Sequence, residues 1–332
     1  MRPAAPLAGV VVPVYNAAAF LPACLQSIAA QSMQDFRCYL IDDGSADESG
    51  ALCDSASAAD ARFCVLHQAQ CGVAAARAAG VRAALEDGAR WLAFCDADDL
   101  LHPDFLRALI GAAQSTGLPV ACCVYDSFTG APPALAPAPP PAARVLHSPA
   151  HLEALLHDHA IDYSLCNKVY AAGAITPADL DNGVAYNEDL LANWQVFSRV
   201  AGCAFVDFAG YHYRQHPASA SHRPLAPESL DDQRRVAIYI REHAGPDLQQ
   251  VADAFYYEKL VYLASMILRR ADAARYRVQL NELGVGIRAG LKDPRLGKNP
   301  RLARPVKLAA WATVHCTALW AKICRRFLKD RQ

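Results

Sequence analysis

Through the first 125 residues, short apolar runs alternate with longer stretches in which apolar positions recur every three or four residues. The runs at 9–14, 37–41, 63–67, 91–95 and 119–125 have the length of strands, and their nearly continuous apolar content predicts burial on both faces. The stretches at 18–30, 47–58, 73–85 and 103–115 predict helices between them. This alternation predicts an α/β fold with a mostly parallel sheet flanked by helices. Ligands of such sheets bind beyond the carboxyl ends of the strands. Three of those ends carry polar residues and turn formers: Tyr15 and Asn16, Asp42 to Ser45, and Asp96 to Asp99.

The pattern changes after the fifth run. Residues 132–141 hold six prolines and no charge, which predicts a stiff loop. A short helix over 149–157 precedes two polar clusters, Cys166-Asn167-Lys168-Val169-Tyr170 and Tyr186-Asn187-Glu188-Asp189-Leu190-Leu191. A strand over 204–208 leads into Tyr211-His212-Tyr213-Arg214-Gln215-His216. Amphipathic helices are predicted over 230–242 and 248–274, the second with Phe255, Leu260, Leu263, Ile267 and Leu268 at core spacing. The expected division is a ligand-binding and catalytic domain at 1–215 and a helical C-terminal region at 216–332.

Charge refines that division. The 332 residues have a net charge of −1 from 32 basic and 33 acidic side chains, yet eleven Lys and Arg against two Asp fall between Lys292 and the end. A basic tail at 292–332 on an otherwise acidic chain points to an anionic surface. Within it, residues 308–321 are apolar apart from Thr313, His315 and Thr317 and carry Trp311 and Trp320, with Lys307 and Lys322 as flanks. At about 1.5 Å per residue the run is too short for a ~30 Å bilayer core. An interfacial helix on an anionic membrane is expected rather than nucleic acid binding, with docking on the catalytic domain as the alternative. The twelve Cys show no C-x-x-C spacing and many lie in apolar runs, as buried reduced thiols of a cytosolic protein would. No export signal or spanning helix is read. The expected place is the cytoplasm, peripheral on the inner face of a bacterial membrane.

The densest chemistry lies at Phe94-Cys95-Asp96-Ala97-Asp98-Asp99-Leu100. Asp-x-Asp on extended backbone directs both carboxylates to one side, where they suit a hard divalent cation completed by substrate phosphates. Asx turns and helix caps use the same residues, so the cluster by itself does not decide.

Four segments together resemble the GT-A family 2 glycosyltransferases in order and spacing across about the first 130 residues. They are Val11-Val12-Pro13-Val14-Tyr15-Asn16, Ile41-Asp42-Asp43-Gly44-Ser45-Ala46-Asp47, Gly72-Val73-Ala74-Ala75-Ala76-Arg77, and Phe94 to Asp99. The clusters around Lys168 and Asp189 extend the similarity to roughly residue 215. The resemblance implies a GT-A fold, a nucleotide-diphosphate sugar donor such as a UDP-sugar, and inversion at the anomeric carbon. By position, Pro13, Tyr15 and Asp43 would hold the base with Arg77 nearby. Asp98 would bind Mn²⁺ or Mg²⁺ on the diphosphate, Asp96 would face the ribose or the ion, and Asp189 would be the catalytic base. Cys71 and Ala79 stand where the family usually has asparagine. The Gln-x-x-Arg-Trp motif of processive synthases is absent, which implies addition of one sugar at a time to a glycan or lipid-linked acceptor of the cell surface.

The chemistry asks for these groups. Inverting transfer needs a carboxylate to take the acceptor proton and a cation to stabilise charge on the departing diphosphate. Glu188 rivals Asp189 as base, and both also suit a helix N-terminus. Lys168 fits either a phosphate or a salt bridge. His212, Arg214 and His216 share a face of an extended segment, where they would close over the diphosphate or complete a metal shell. Two other readings are a nucleotidyltransferase of similar fold and a non-catalytic nucleotide-sugar-binding scaffold. A dinucleotide oxidoreductase is excluded because no G-x-G-x-x-G follows the first strand.

Overall fold

A computed structural model describes residues 5–136, 142–158, 160–217 and 225–327. The C-terminal half of the proline loop and the last basic residues of the tail lie outside them. The chain divides into two compact units, the first comprising residues 1–184 and 188–217 and the second residues 185–187 and 218–332.

The first unit is built on a nine-stranded sheet in the order β3-β2-β1-β4-β8-β6-β9-β5, with β7 also paired to β9. Its strands are β1 (Ala8–Val14), β2 (Phe36–Asp42), β3 (Phe63–His67), β4 (Trp91–Phe94), β5 (Leu100–Leu101), β6 (Val120–Phe128), β7 (Arg144–His147), β8 (Lys168–Ala171) and β9 (Gly202–Arg214). Its helices are α1 (Leu21–Ala29), α2 (Ser49–Ala59), α3 (Val73–Glu86), α4 (Phe105–Thr116), α5 (Ala150–His157), α6 (Pro177–Leu180) and α7 (Glu188–Phe197). The first four strands are parallel, as their apolar runs require: Val10, Val11 and Val12 are fully buried between neighbours on both sides.

The other half of the sheet is mixed, with β6 and β9 parallel and β8 inserted against the strand direction. β8 lies between β4 and β6 and is antiparallel to both. The Asn-Lys-Val-Tyr segment reads as a polar cluster, yet it forms a central strand because Lys168 finds four oxygens inside the protein. Its Nζ donates to Ser164 O (2.5 Å), Asn167 Oδ1 (2.8 Å), Asp162 O (3.0 Å) and Asp162 Oδ1 (3.3 Å). Burial pulls the Lys168 pKa down, but Asp162 outweighs it and the net shift is upward. β9 is longer than the expected 204–208 and includes Tyr211, His212, Tyr213 and Arg214.

Helix α3 packs on β1 through Gly80, where a Cβ would come within 2.4 Å of Val11 Cγ1. Arg77, one turn earlier on the same face, is thereby held at the carboxyl end of the sheet.

The second unit is helical: α8 (Pro227–His243), α9 (Gln249–Leu268), α10 (Arg277–Lys292), α11 (Pro294–Lys298), α12 (Arg304–His315) and α13 (Thr317–Phe327). α9 ends six residues before the expected 274, and a separate 3-10 turn follows over Ala273–Tyr276. Leu260, Leu263, Ile267, Tyr276 and Ile287 are among the buried core. The apolar stretch of the tail is two helices, interrupted at Cys316, whose non-helical φ of −133° and ψ of 41° break the repeat. Ala310, Thr313, Ala321 and Cys324 are buried, and Trp320 Nε1 donates to Ser265 Oγ on α9 at 3.2 Å. Leu308, Trp311 and Leu319 face outward at 70, 52 and 59 % exposure. No helix among the described residues is long and apolar enough to cross a membrane. All twelve cysteines are free thiols, most of them buried.

Candidate active site

Arg77 organises the site. Its Nη1 donates to Asp189 Oδ1 at 2.7 Å and lies 3.6 Å from Glu188 Oε1, while its Nη2 donates to Asp96 Oδ1 at 2.9 Å. The guanidinium is buried, and its Nε has no hydrogen-bond partner among the described residues. Burial lowers its pKa, but Asp189 and Asp96 reverse the shift and hold it firmly charged. Arg77 joins acids from two distant parts of the chain. Asp96 follows β4, and Glu188 and Asp189 open α7, where the helix dipole favours them. Asp189 Oδ2 also accepts from Leu165 N at 3.3 Å.

Asp98 forms the second centre. His216 Nε2 lies 2.9 Å from Asp98 Oδ2, and the imidazole stacks against Phe20 with centroids 4.3 Å apart. Arg214 Nε donates to Asp98 O at 2.8 Å, and its guanidinium covers the rings of Phe128 and Phe20. Two of the three residues expected to act together therefore reach Asp98. The third does not: His212 Nδ1 is 2.5 Å from Asp126 Oδ1, its ring faces His102, and its buried Nε2 has no partner among the described residues. Asp99 is buried between Tyr211, whose hydroxyl donates to Asp99 Oδ2, and Arg214 N, which donates to its Oδ1 at 2.7 Å. Asp96 N donates to the same Tyr211 hydroxyl.

The third centre is at the ends of β1 and β2. Asp43 accepts from Gln68 Nε2 (2.7 Å), Cys71 N (2.8 Å) and Gly72 N (2.7 Å). Gly72 has φ of +92°, a value glycine adopts without strain, and it starts α3. Cys71 contacts Asp43 through its backbone, so an Asn side chain is not needed for that bond. Tyr15, the residue after β1, is 45 % exposed. Lys168 belongs to none of the three centres; of its two expected roles, the structure displays the salt bridge, with Asp162.

Sequence reasoning missed Phe20 and Tyr211 as supports of the acid clusters. Tyr211 could have been found from its place on the strand that carries Arg214; Phe20 leaves no signal.

Residues 9–163 match the family model described as glycosyl transferase family 2. That match, over just under half of the chain, places residues 9–163 in glycosyl transferase family 2. The chain is a glycosyltransferase, and its relatives carry that description. It is 29 % identical over 252 residues to the uncharacterized glycosyltransferase EpsJ of Bacillus subtilis (strain 168), covering 72 % of this chain and 71 % of the relative. It is 33 % identical over 123 residues to the glycosyltransferase GlyG of Streptococcus pneumoniae, covering 37 % of this chain and 40 % of that one. Among solved structures it superimposes on S. aureus TarS 1–349 in complex with UDP-GlcNAc at a TM-score of 0.64 and 16 % identity, covering 96 % of this chain and 88 % of that one. It also superimposes on the mannosyltransferase PcManGT of Pyrobaculum calidifontis, in complex with GDP-Man and Mn²⁺, at 0.52 and 13 %, covering 98 and 88 %. At these identities the structural likeness establishes the GT-A fold.

In this transferase the acid clusters carry more negative charge than Arg77 neutralises. Burial and the neighbouring Asp96 raise the Asp98 pKa, with His216 opposing. Burial, Asp96 and Asp98 push Asp99 up to about 8. Burial and Asp189 push Glu188 up to about 7, and Asp189 itself is raised by burial despite Arg77. That surplus suits a cation. Among the described residues no three ligating side chains surround one point.

Proposed function

We propose that the protein transfers one glycosyl unit from a nucleoside diphosphate sugar, a UDP-sugar, to a glycan or lipid-linked acceptor, with inversion at the anomeric carbon. The observation that carries this reading is the Arg77 bridge, which joins Asp96 and Asp189 in one cluster. Asp189 takes the acceptor hydroxyl proton, the acceptor oxygen bonds to the anomeric carbon, and the nucleoside diphosphate departs with the electrons of the broken C–O bond. Arg77 opposes the burial that raises the Asp189 pKa, and so favours the ionised form that a base needs. Asp98 and His216 would hold Mn²⁺ or Mg²⁺, which when bound would stabilise charge on the departing diphosphate. Tyr15 and Pro13 would line the base, and Asp43 would act there chiefly by fixing the loop that ends at Gly72. The neighbours solved with UDP-GlcNAc, and with GDP-Man and Mn²⁺, support a nucleotide sugar and an ion.

The second unit attaches the enzyme to an anionic membrane surface through the outward face of α12 and α13. Leu308 and Trp311 lie one turn apart there, with Arg304 one turn before Leu308 on the same helix.

The first test is UDP release from UDP-GlcNAc and UDP-glucose with and without Mn²⁺. Metal-dependent release is expected, and Asp189→Asn should lower it by about 10²–10⁴ while the protein still binds UDP. A wild type that releases no UDP from either donor would favour the scaffold reading. An Asp189→Asn enzyme that turns over normally would remove Asp189 as base.

A further inference from the structure

Beyond Asp96, on the β6 and β9 side of the sheet, lies a cavity of about 260 Å³. Tyr125, Tyr163 and Tyr213 line it together with the carboxylates of Asp96, Asp158 and Asp162. The hydrogen-bonded pair Asp99 and Tyr211 completes the wall. Sheet order separates this cavity from the base-binding loops: β1, β2 and β3 lie on one side of β4, and β8, β6 and β9 on the other. The cavity is joined to the proton acceptor instead. Ser164 lines it, and the next residue, Leu165, donates its N–H to Asp189.

The wall is a built one. Lys168 fixes the 162–164 segment through Asp162 O and Ser164 O, and Asn167 Nδ2 donates to Asp162 Oδ2 at 2.5 Å. Tyr125 and Tyr213 meet edge to face with centroids 6.5 Å apart at 83°. Rings of this kind present flat apolar surface to the C–H face of a pyranose, and the adjacent carboxylates accept from its hydroxyls. Among the described residues, no Lys, Arg or His is in the lining. Arg77 engages Asp96, and Lys168 engages Asp162, without either cation lining the space. The described lining therefore combines aromatic rings with the acidic residues Asp96, Asp99, Asp158 and Asp162.

We propose that this cavity is the acceptor subsite, and that it takes an uncharged or amino-substituted glycosyl residue while rejecting uronic acids and phosphorylated sugars. The proposal rests on the transferase reading above and names the acceptor class for it. An ammonium group gains from the carboxylates, whereas a carboxylate or phosphate on the ligand meets like charge in a partly desolvated site.

Saturation-transfer NMR on the full chain tests this without turnover, using UDP and three methyl β-glycosides: the glucoside, the 2-amino-2-deoxyglucoside and the glucuronide. The first two should saturate, with the glucuronide at least ten-fold weaker. Tyr213→Ala, and separately Tyr125→Ala at a half-exposed position, should lower the glycoside signals at least five-fold while UDP still saturates. Three results overturn the proposal: a glucuronide signal equal to the glucoside's, a glucoside signal that survives both substitutions, or no glycoside signal beside a clear UDP signal. Displacement of the glucoside by UDP-glucose but not by UDP would assign the cavity to the donor's sugar, which also overturns it. Saturation of glycosides with none of UDP would instead count against the nucleotide-sugar reading and leave the carbohydrate cavity standing.

Discussion

The two units bury different things. In the first, Asp42, Asp43, Arg77, Asp99, Lys168 and Arg214 are all buried, many of them in contact with one another. In the second, the buried polar residues are Ser229, Ser265, Asn299 and Thr313, with no charged side chain among those described. Asn299 there caps a loop by donating to Gln250 O, and Tyr257 donates its hydroxyl to Ile287 O. An apolar core of Leu260, Leu263, Ile267 and Ile287 is sufficient for the helices. Desolvating an ion costs several kcal/mol, and apolar packing would stabilise as well or better. The charges of the first unit are therefore explained by chemistry, and the second unit carries its charge on the outside.

Removing Arg77 tests that contrast most severely. Arg77→Met leaves Asp96, Glu188 and Asp189 facing one another without a cation. Breaking a fully buried pair costs about 3–5 kcal/mol. The cost here should be lower, about 2–3 kcal/mol, because Asp96 is 37 % exposed and water screens part of the repulsion. Urea unfolding at pH 7.5 measures it, and the deficit should shrink at pH 4.5 as the acids protonate. A variant as stable as wild type at both pH values would mean that the bridge supports neither fold nor site.

How much of this was legible depends on how local each signal is. β1 to β4 were readable because a buried parallel strand is a continuous apolar run, and the acid clusters were readable because they follow such runs directly. The insertion of β8 was not readable: Lys168 looks solvent-facing until Asp162, Ser164 and Asn167 come round to it, and two of those contacts are to backbone carbonyls. The role of Arg77 was also hidden, since a cation in an alanine-rich helix gives no sign of partners at Asp96 and Asp189. Tyr15, Asp43, Asp96 and Asp98 follow legible strand ends and Asp189 a legible helix start; what each touches emerged only from the fold. In the tail, hydropathy displays an apolar run but not the break at Cys316, nor which face turns inward against α9.

The outward face of that tail offers the next test. Leu308→Glu with Trp311→Glu removes two exposed apolar side chains that would each contribute about 1.5–3 kcal/mol if buried in an interface. Co-sedimentation with vesicles containing anionic lipid should fall at least ten-fold, and 0.5 M salt should weaken the wild type as charge is screened. Thermal stability should hardly change, because the buried face of α12 is Ala310 and Thr313. Vesicle binding equal to wild type would leave the second unit as a packing module and nothing more.

The smallest expected effect is the most specific to the first unit. Burial and the adjacent Asp189 raise the Glu188 pKa from its ordinary 4.5 to about 7, with Arg77 opposing. The folded protein then holds a proton there that the unfolded chain has released, so stability falls as pH rises through roughly 4.5 to 7. Glu188→Gln does not titrate, and it should match wild type near pH 4.5 and exceed it above pH 7. A full shift of that size would correspond to about 3 kcal/mol, which partial exposure of the side chain reduces to roughly 1–2 kcal/mol. Because Glu188 and Asp189 share the repulsion, the substitution should also make Asp189 easier to ionise and move the acidic limb of the pH–rate profile downward. Unfolding curves at pH 4.5, 6 and 7.5 read the first effect and initial rates over the same range read the second. A stability offset that is constant with pH would mean that Glu188 is ionised in the folded protein, and the acid cluster would then be better neutralised than its geometry around a single Arg77 allows.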